Sequence, residues 1–177
     1  MYGVIYIAIK EYAETAFGPV KWQSIVEKSG VTVDFTLTEQ PYNDDISYKL
    51  AKATADCTGM LLQNILYNFG LQVIRTTNAS FKPIMSGRGE SLRDYLLNLP
   101  NFHNRISFIY PELMPPEFRL SDINDISLMF HYRKKREGMT EYFRGYLTGL
   151  AEVYKENVTI TAVSATSDTE EVYKITW

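Results

Sequence analysis

The sequence is poor in the residues that most often announce a function. Its 177 residues hold one cysteine, two histidines and two tryptophans, and the net charge is only −3. A lone Cys57 excludes an internal disulfide framework, and it excludes any C-x-x-C-H attachment of a haem. A cytoplasmic location follows from that cysteine usage. The longest N-terminal apolar run, GVIYIAI, meets Lys10 and Glu11 without the basic leader or cleavage site of a signal peptide. It is far too short to span a bilayer, so no membrane is expected. The only basic cluster, Arg133–Arg136, is too small for a nucleic-acid or anionic-lipid surface. There is no G-x-S-x-G, no H-E-x-x-H and no phosphate loop, and G-R-G in SGRGES is too short to cradle a phosphate. These absences point away from an enzyme and towards a protein that binds.

What the chain does contain is enough to build an enclosed core. Apolar residues make up 45% and aromatic residues 14%, with 13 tyrosines, a composition of ordered globules. A single domain of this length buries about 70% of its unfolded surface, room enough for a cofactor.

Periodicity predicts a helix over residues 2–17, with Tyr2, Ile5, Ile9 and Tyr12 on one stripe and Gly18-Pro19 as its stop. Val20–Lys28 is a short helix ended by Gly30, and VTVDFTL a connection. Pro41–Thr58 is a helix with Asn43 or Asp44 as cap and Gly59 as its end. Met60–Phe69 follows, stopped by Gly70, and then Gln72–Ser86, mixed in character, with Val73, Ile74 and Phe81 in the core. Glu90 or Ser91 caps the next helix. Beyond Pro116 come FRL, the turn SDIND and ISLMFHYRK, then a helix over Met139–Lys155. NVTITAV and EVYKITW close the chain as a hairpin around SATSDTE. Helices first and strands later make an α+β pattern. One domain over 1–177 is expected, helical over about 1–60 and α+β over about 61–177. It would serve as a stand-alone unit or as a domain of something longer.

The organising stretch is SLRDYLLNLPNFHNRISFIYPELMPPEF, from Ser91 to Phe118, with His103 at its middle. Its apolar neighbours are Leu96, Leu99, Phe102, Ile106 and Ile109. Helical spacing places Leu99, His103 and Ile106 on one face, and Pro100 would open a new helical segment that aims the imidazole. An inward imidazole is either a satisfied core histidine or a metal ligand. In HYRKKREG, extended backbone points Tyr132, Lys134 and Arg136 the same way. A phenol, an ammonium and a guanidinium on one ridge would receive a ligand with two carboxylates; otherwise the ridge is a solvated basic edge. An inward histidine and a ridge for two acids together suit haem b. A haem-free module, binding a small dicarboxylate or a partner's acidic surface, is the rival reading. His131 alternates with Tyr132 and would lie away from the ridge, on the surface or at an interface.

MYGVIYIAIKEYAETAFGPVKWQSIV, NLPNFHNRI…YPELMPPEF and HYRKKREG resemble the H-NOX (haem-nitric oxide/oxygen binding) family, which includes the haem domain of soluble guanylate cyclase. The resemblance covers essentially the whole chain. It implies the H-NOX fold, with a mainly antiparallel four-stranded sheet and haem b held non-covalently between two parts. It implies His103 as the sole iron ligand and Tyr132, Lys134 and Arg136 on the propionates, with Lys134 standing where the family has serine. Pro116 would press on the porphyrin, and Ile5 and Ile9 on the first helix would roof the gas side. Tyr142, aligned through Gly145 in EYFRGYL, takes the place of the tyrosine found in O2-binding members. The Trp and Asn that support it in such a member are Ile9 and Val73 here, and neither can hydrogen-bond. The ligands implied are NO, CO and, more weakly, O2. The partner implied is a signalling effector: a histidine kinase, a cyclic-di-nucleotide enzyme, a chemotaxis receptor or a cyclase.

Overall fold

A computed structural model describes residues 3–34, 45–80, 82, 85, 89–109, 111, 117–133, 138–163 and 170–177. Among them the order is α1 (Gly3–Phe17), α2 (Pro19–Ser29), α3 (Asp45–Thr58), α4 (Leu62–Ser80), α5 (Leu92–Ile109), β1 (Phe118–Ser121), β2 (Ser127–Arg133), α6 (Thr140–Tyr154), β3 (Thr159–Val163) and β4 (Glu170–Thr176). The expected residues Tyr2, Asn43, Asp44 and Phe81 and residues 164–169 of the SATSDTE turn lie outside the described residues, as does the side chain of Ile106.

Several boundaries follow from local chemistry. Pro19 opens α2, where its missing N–H costs nothing, and Gly30 closes it at φ 65° with its N–H on the Glu27 carbonyl. Ser91 caps α5: its hydroxyl accepts the Asp94 N–H at 3.0 Å and donates to the Asp94 carboxylate at 2.7 Å. A second group satisfies the same helix end from far along the chain. The Glu156 carboxylate accepts the Leu92 N–H at 2.8 Å and the Trp177 indole N–H at 2.6 Å.

Two expectations are overturned. Gly70 does not stop a helix; α4 runs through it from Leu62 to Ser80. The glycine is there for close approach, since a Cβ at Gly70 would collide with the Tyr142 carbonyl oxygen of α6. Gly145 does the same from α6, where a Cβ would strike the Tyr67 carbonyl, and Gly149 lies against Ile74. Each mid-helix glycine costs about 0.5–1 kcal/mol against alanine, which the contact it permits must offset. Pro100 likewise does not begin a new segment. It sits inside a continuous α5, where it forfeits one backbone hydrogen bond while Leu96 and Leu99, in the turn before it, are fully buried.

The four strands form one antiparallel sheet in the order β1-β2-β4-β3. Alternation gives it two unlike faces. Leu128, Phe130, Tyr132, Tyr173 and Ile175 are buried and belong to the same core as Phe143 and Leu147 of α6. Arg119, Ser121, His131 and Glu170 occupy the other face and meet around His131, and Arg133 pairs there with Glu117. α4 is the central helix, packed against α1 and α3 as well as against α6.

Candidate functional site

The sheet's buried face is where the predicted site residues converge. His103, on α5, is half-buried, and its ring centroid lies 5.1 Å from that of Phe118, the first residue of β1. Phe102 flanks it at 5.9 Å. Phe118 extends the aromatic wall inward, to Phe130 at 4.9 Å, Tyr132 at 6.0 Å and Phe143 at 6.2 Å. Cross-strand register explains the first two: Phe118 pairs with Tyr132 on β2, one step from Phe130.

Tyr132 is 6% exposed and lies on Phe143 with ring centroids 3.7 Å apart. Its ridge partners Lys134 and Arg136, and Pro116, lie outside the described residues. Arg133 confirms the alternation, since it turns to the opposite face and pairs with Glu117 at 3.0 Å. Beside Tyr132 in register stands a buried carboxylate, Glu171, which accepts the Thr140 hydroxyl at 2.9 Å and the Tyr173 hydroxyl at 2.6 Å. Burial and then the neighbouring Glu171 push the Tyr173 phenol well above the usual tyrosine range, so it remains a donor. This network ties the first residue of α6 to β4.

Tyr142 is 3% exposed, edge-on to Phe143 at 5.3 Å, with its carbonyl against Gly70. Val73, one helical turn beyond Gly70, and Ile9 of α1 are buried in the same core, and Ile5 is half-buried against it. His103 and Tyr132 thus share one aromatic wall. Tyr142 joins them through Phe143, while Ile5, Ile9 and Val73 supply the aliphatic part of the core.

Three details depart from the sequence reading. Ile109, expected among the inward neighbours of His103, is exposed, and Phe108 is 87% exposed. His131 does lie away from Tyr132, but it is a nearly buried residue with partners at both nitrogens. Nε2 meets the Ser121 hydroxyl at 2.8 Å, and Nδ1 meets Glu170 at 3.0 Å and Arg119 at 2.9 Å. Phe118 and Phe143 were not anticipated. Reading β1 and β2 as a hairpin and counting back from Tyr132 would have found Phe118.

The donor set fits a haem better than a caged ion. Among the described residues no three His, Cys, Asp or Glu side chains converge on one point. A single imidazole suffices only where a macrocycle supplies the other in-plane ligands. The aromatic and aliphatic lining suits the apolar faces of such a ring.

Comparison with known proteins agrees. A family model described as Haem-NO-binding matches residues 2–162. Soluble guanylate cyclase gcy-31 of Caenorhabditis elegans is 29% identical over 162 residues, 90% of this chain and 23% of its own length. Soluble guanylate cyclase 89Da of Drosophila melanogaster is 26% identical over 155 residues, again 23% of its length. The chain therefore spans less than a quarter of these relatives. A structure solved for the mechanism of H-NOX activation superposes with TM-score 0.84 at 19% identity, over 99% of this chain and 96% of the other. An oxygen-binding H-NOX domain related to soluble guanylate cyclases, in its oxygen complex, gives 0.82 at 20%, over 99% and 94%. The fold is the H-NOX fold.

Proposed function

Because this chain belongs to the Haem-NO-binding family, we propose that it is a haem-based sensor of diatomic gases, with His103 as the ligand that holds the iron. The observation that carries this reading is the half-buried His103 on the same aromatic wall as Tyr132. Haem b, held without covalent links, would supply an iron able to bind a small gas. The remaining work belongs to the protein.

Tyr132, Lys134 and Arg136 would anchor the two propionates, with charge-assisted hydrogen bonds of about 1.5–3 kcal/mol each. Pro116 would bear on the face that His103 approaches. On the opposite side Ile5, Ile9 and Val73 keep the pocket dry and offer no hydrogen bond. Tyr142 would offer a phenol there, which favours O2 over a wholly aliphatic lining and matters little to NO or CO. The chain transmits and does not catalyse. α5 is the element placed to carry the signal, because a displacement of His103 acts on a helix anchored at its other end. There Glu156 holds the Leu92 N–H and Arg93 donates to the Asn124 and Asp125 carbonyls. Likeness to soluble guanylate cyclases favours a cyclase as the effector, over a histidine kinase, a cyclic-di-nucleotide enzyme or a chemotaxis receptor. The cytoplasm suits such a partner, and no described helix is long and apolar enough to cross a membrane.

The test is His103→Gly, purified with and without imidazole in the medium. The variant should emerge without haem, or hold it only while imidazole is present. Normal haem content and an unchanged ferrous spectrum would overturn the assignment.

A further inference from the structure

The two edges of the sheet are protected very differently. β1 is four residues long and carries Arg119, whereas β3, Thr159–Val163, reads TITAV, with no charge, no proline and no glycine. Thr159, Thr161 and Ala162 are exposed. Among the described residues nothing pairs with the outer side of β3. Such an edge offers backbone donors and acceptors to an extended chain of matching shape, and proteins ordinarily blunt it with lysine, proline or a bulge.

Beside β3 runs a cleft of about 730 Å³, within the range that holds a specific ligand. Its second wall is a single stripe of α6: Arg144, Thr148, Ala151 and then Lys155 at the helix end. Val158 and Ile160 give the strand wall its apolar patches. The charges in the cleft are mostly spent inside the protein. Arg144 binds Glu141 and lies over the Tyr67 ring, Glu152 takes Arg75, and Glu156 takes Leu92 and Trp177. Lys155 is exposed and has no partner among the described residues. Glu156 keeps its charge, since its donors are neutral N–H groups, but both of its oxygens are occupied. The charged group of the cleft left open to a ligand is the Lys155 ammonium, next to an extended backbone.

We propose that the cleft between β3 and α6 docks an extended, acid-bearing segment of a partner polypeptide, which joins the sheet as a further strand beside β3. Every existing pair in the sheet is antiparallel. An added antiparallel strand would bring its C-terminal end to the start of β3, where Lys155 waits. The carboxylate thus belongs at the C-terminal end of the docked segment, and main-chain bonds to β3 supply affinity with little demand on the other side chains. The proposal does not depend on the haem reading, since no residue of the cleft belongs to that site.

Fluorescence anisotropy of a labelled synthetic peptide, alternating valine and threonine and ending in aspartates, tests it on the protein as purified. Saturable binding is expected, weakened about tenfold or more by Lys155→Glu or by ending the peptide in lysines. Thr161→Pro and Ala162→Pro remove adjacent N–H groups, of which one points away from β4; the variant that keeps its melting temperature should lose the peptide. No saturable binding, or equal binding to both peptides and to Lys155→Glu, overturns the proposal. So does concentration-dependent dimerisation that Thr161→Pro or Ala162→Pro abolishes, because the edge would then belong to a second copy.

Discussion

The two histidines sit on opposite faces of one structure and show what decides the use of an imidazole. His131 lies on the outer face of the sheet, where Ser121, Arg119 and Glu170 meet its nitrogens. Those bonds fix the ring and leave it a structural part of a polar cluster. His103 stands on α5 against the rings of Phe102 and Phe118, on the aromatic side that leads to Tyr132 and Phe143. An imidazole flanked by aromatic rings is suited to stand against the apolar face of a haem, the role proposed for His103. Residue type was the same in both places, and the neighbours made the difference.

The sharpest way to break that contrast is to remove each ring in turn. His103→Gly should abolish stable haem retention, while His131→Gln, whose amide can still meet Ser121 and Glu170, should keep a full complement by absorbance. Equal losses in the two variants would erase the distinction. The faces can then be compared through neighbours in sequence. Phe118→Ala opens a cavity in the aromatic wall and should cost about 2–3 kcal/mol, below the full range for a phenylalanine because the ring is only half-buried. Arg119→Ala removes an exposed ion pair and should cost less than about 1 kcal/mol. Urea midpoints of the two apo proteins measure both.

The parts of this architecture legible in sequence were those decided locally. Gly18-Pro19, Gly30, Gly59 and Ser91 end or cap helices through bonds within a few residues, and period-two alternation marked β2 and β4. Gly70 and Pro100 misled for one reason. Each is a helix breaker by its own chemistry, and each is overruled in the fold: α6 crosses α4 at Gly70, and α5 continues through Pro100 with Leu96 and Leu99 of the preceding turn fully buried. At the candidate site, His103 and Tyr132 were singled out by spacing and family resemblance, and Tyr142 by the resemblance alone. The wall that joins them was not, because Phe118 and Phe143 meet only after β1 has paired with β2 and α6 has covered the sheet. The partners of His131 were hidden likewise, since Glu170 comes from a strand 39 residues away.

Two smaller effects test the proposed propionate anchors and the proposed gas side. Arg136→Ala should weaken haem retention by about tenfold or more, for a charge-assisted bond of roughly 1.5–3 kcal/mol. Arg133→Ala, engaged with Glu117 on the other face, should leave it unchanged. Haem transfer to apomyoglobin gives the two rates, and equal acceleration would argue against the ridge. Tyr142→Phe should speed loss of O2 by up to about tenfold, since one neutral hydrogen bond in a dry pocket contributes about 0.5–1.5 kcal/mol. NO affinity should not move. If the wild type takes up no O2 at all in stopped-flow mixing, its phenol does not serve the gas.

The smallest effect lies on the outer face and depends on pH. Burial pushes the Glu170 carboxyl upward, but the hydrogen bond and charge of His131, followed by those of Arg119, outweigh it and hold the carboxyl below its ordinary 4.5. A carboxyl that is more acidic folded than unfolded stabilises the fold above its unfolded pKa. That contribution fades as pH falls through the folded value. Glu170→Gln should therefore lower stability at neutral pH by about 0.2–1 kcal/mol, the range for a pair that water still reaches. The wild type and the variant should converge as pH drops below the carboxylate range. Thermal melts of both proteins between neutrality and about pH 3 decide it, with haem absent so that loss of the cofactor does not enter. A constant difference across that range would mean that Glu170 acts through packing, and that the cluster around His131 is held by shape and not by charge.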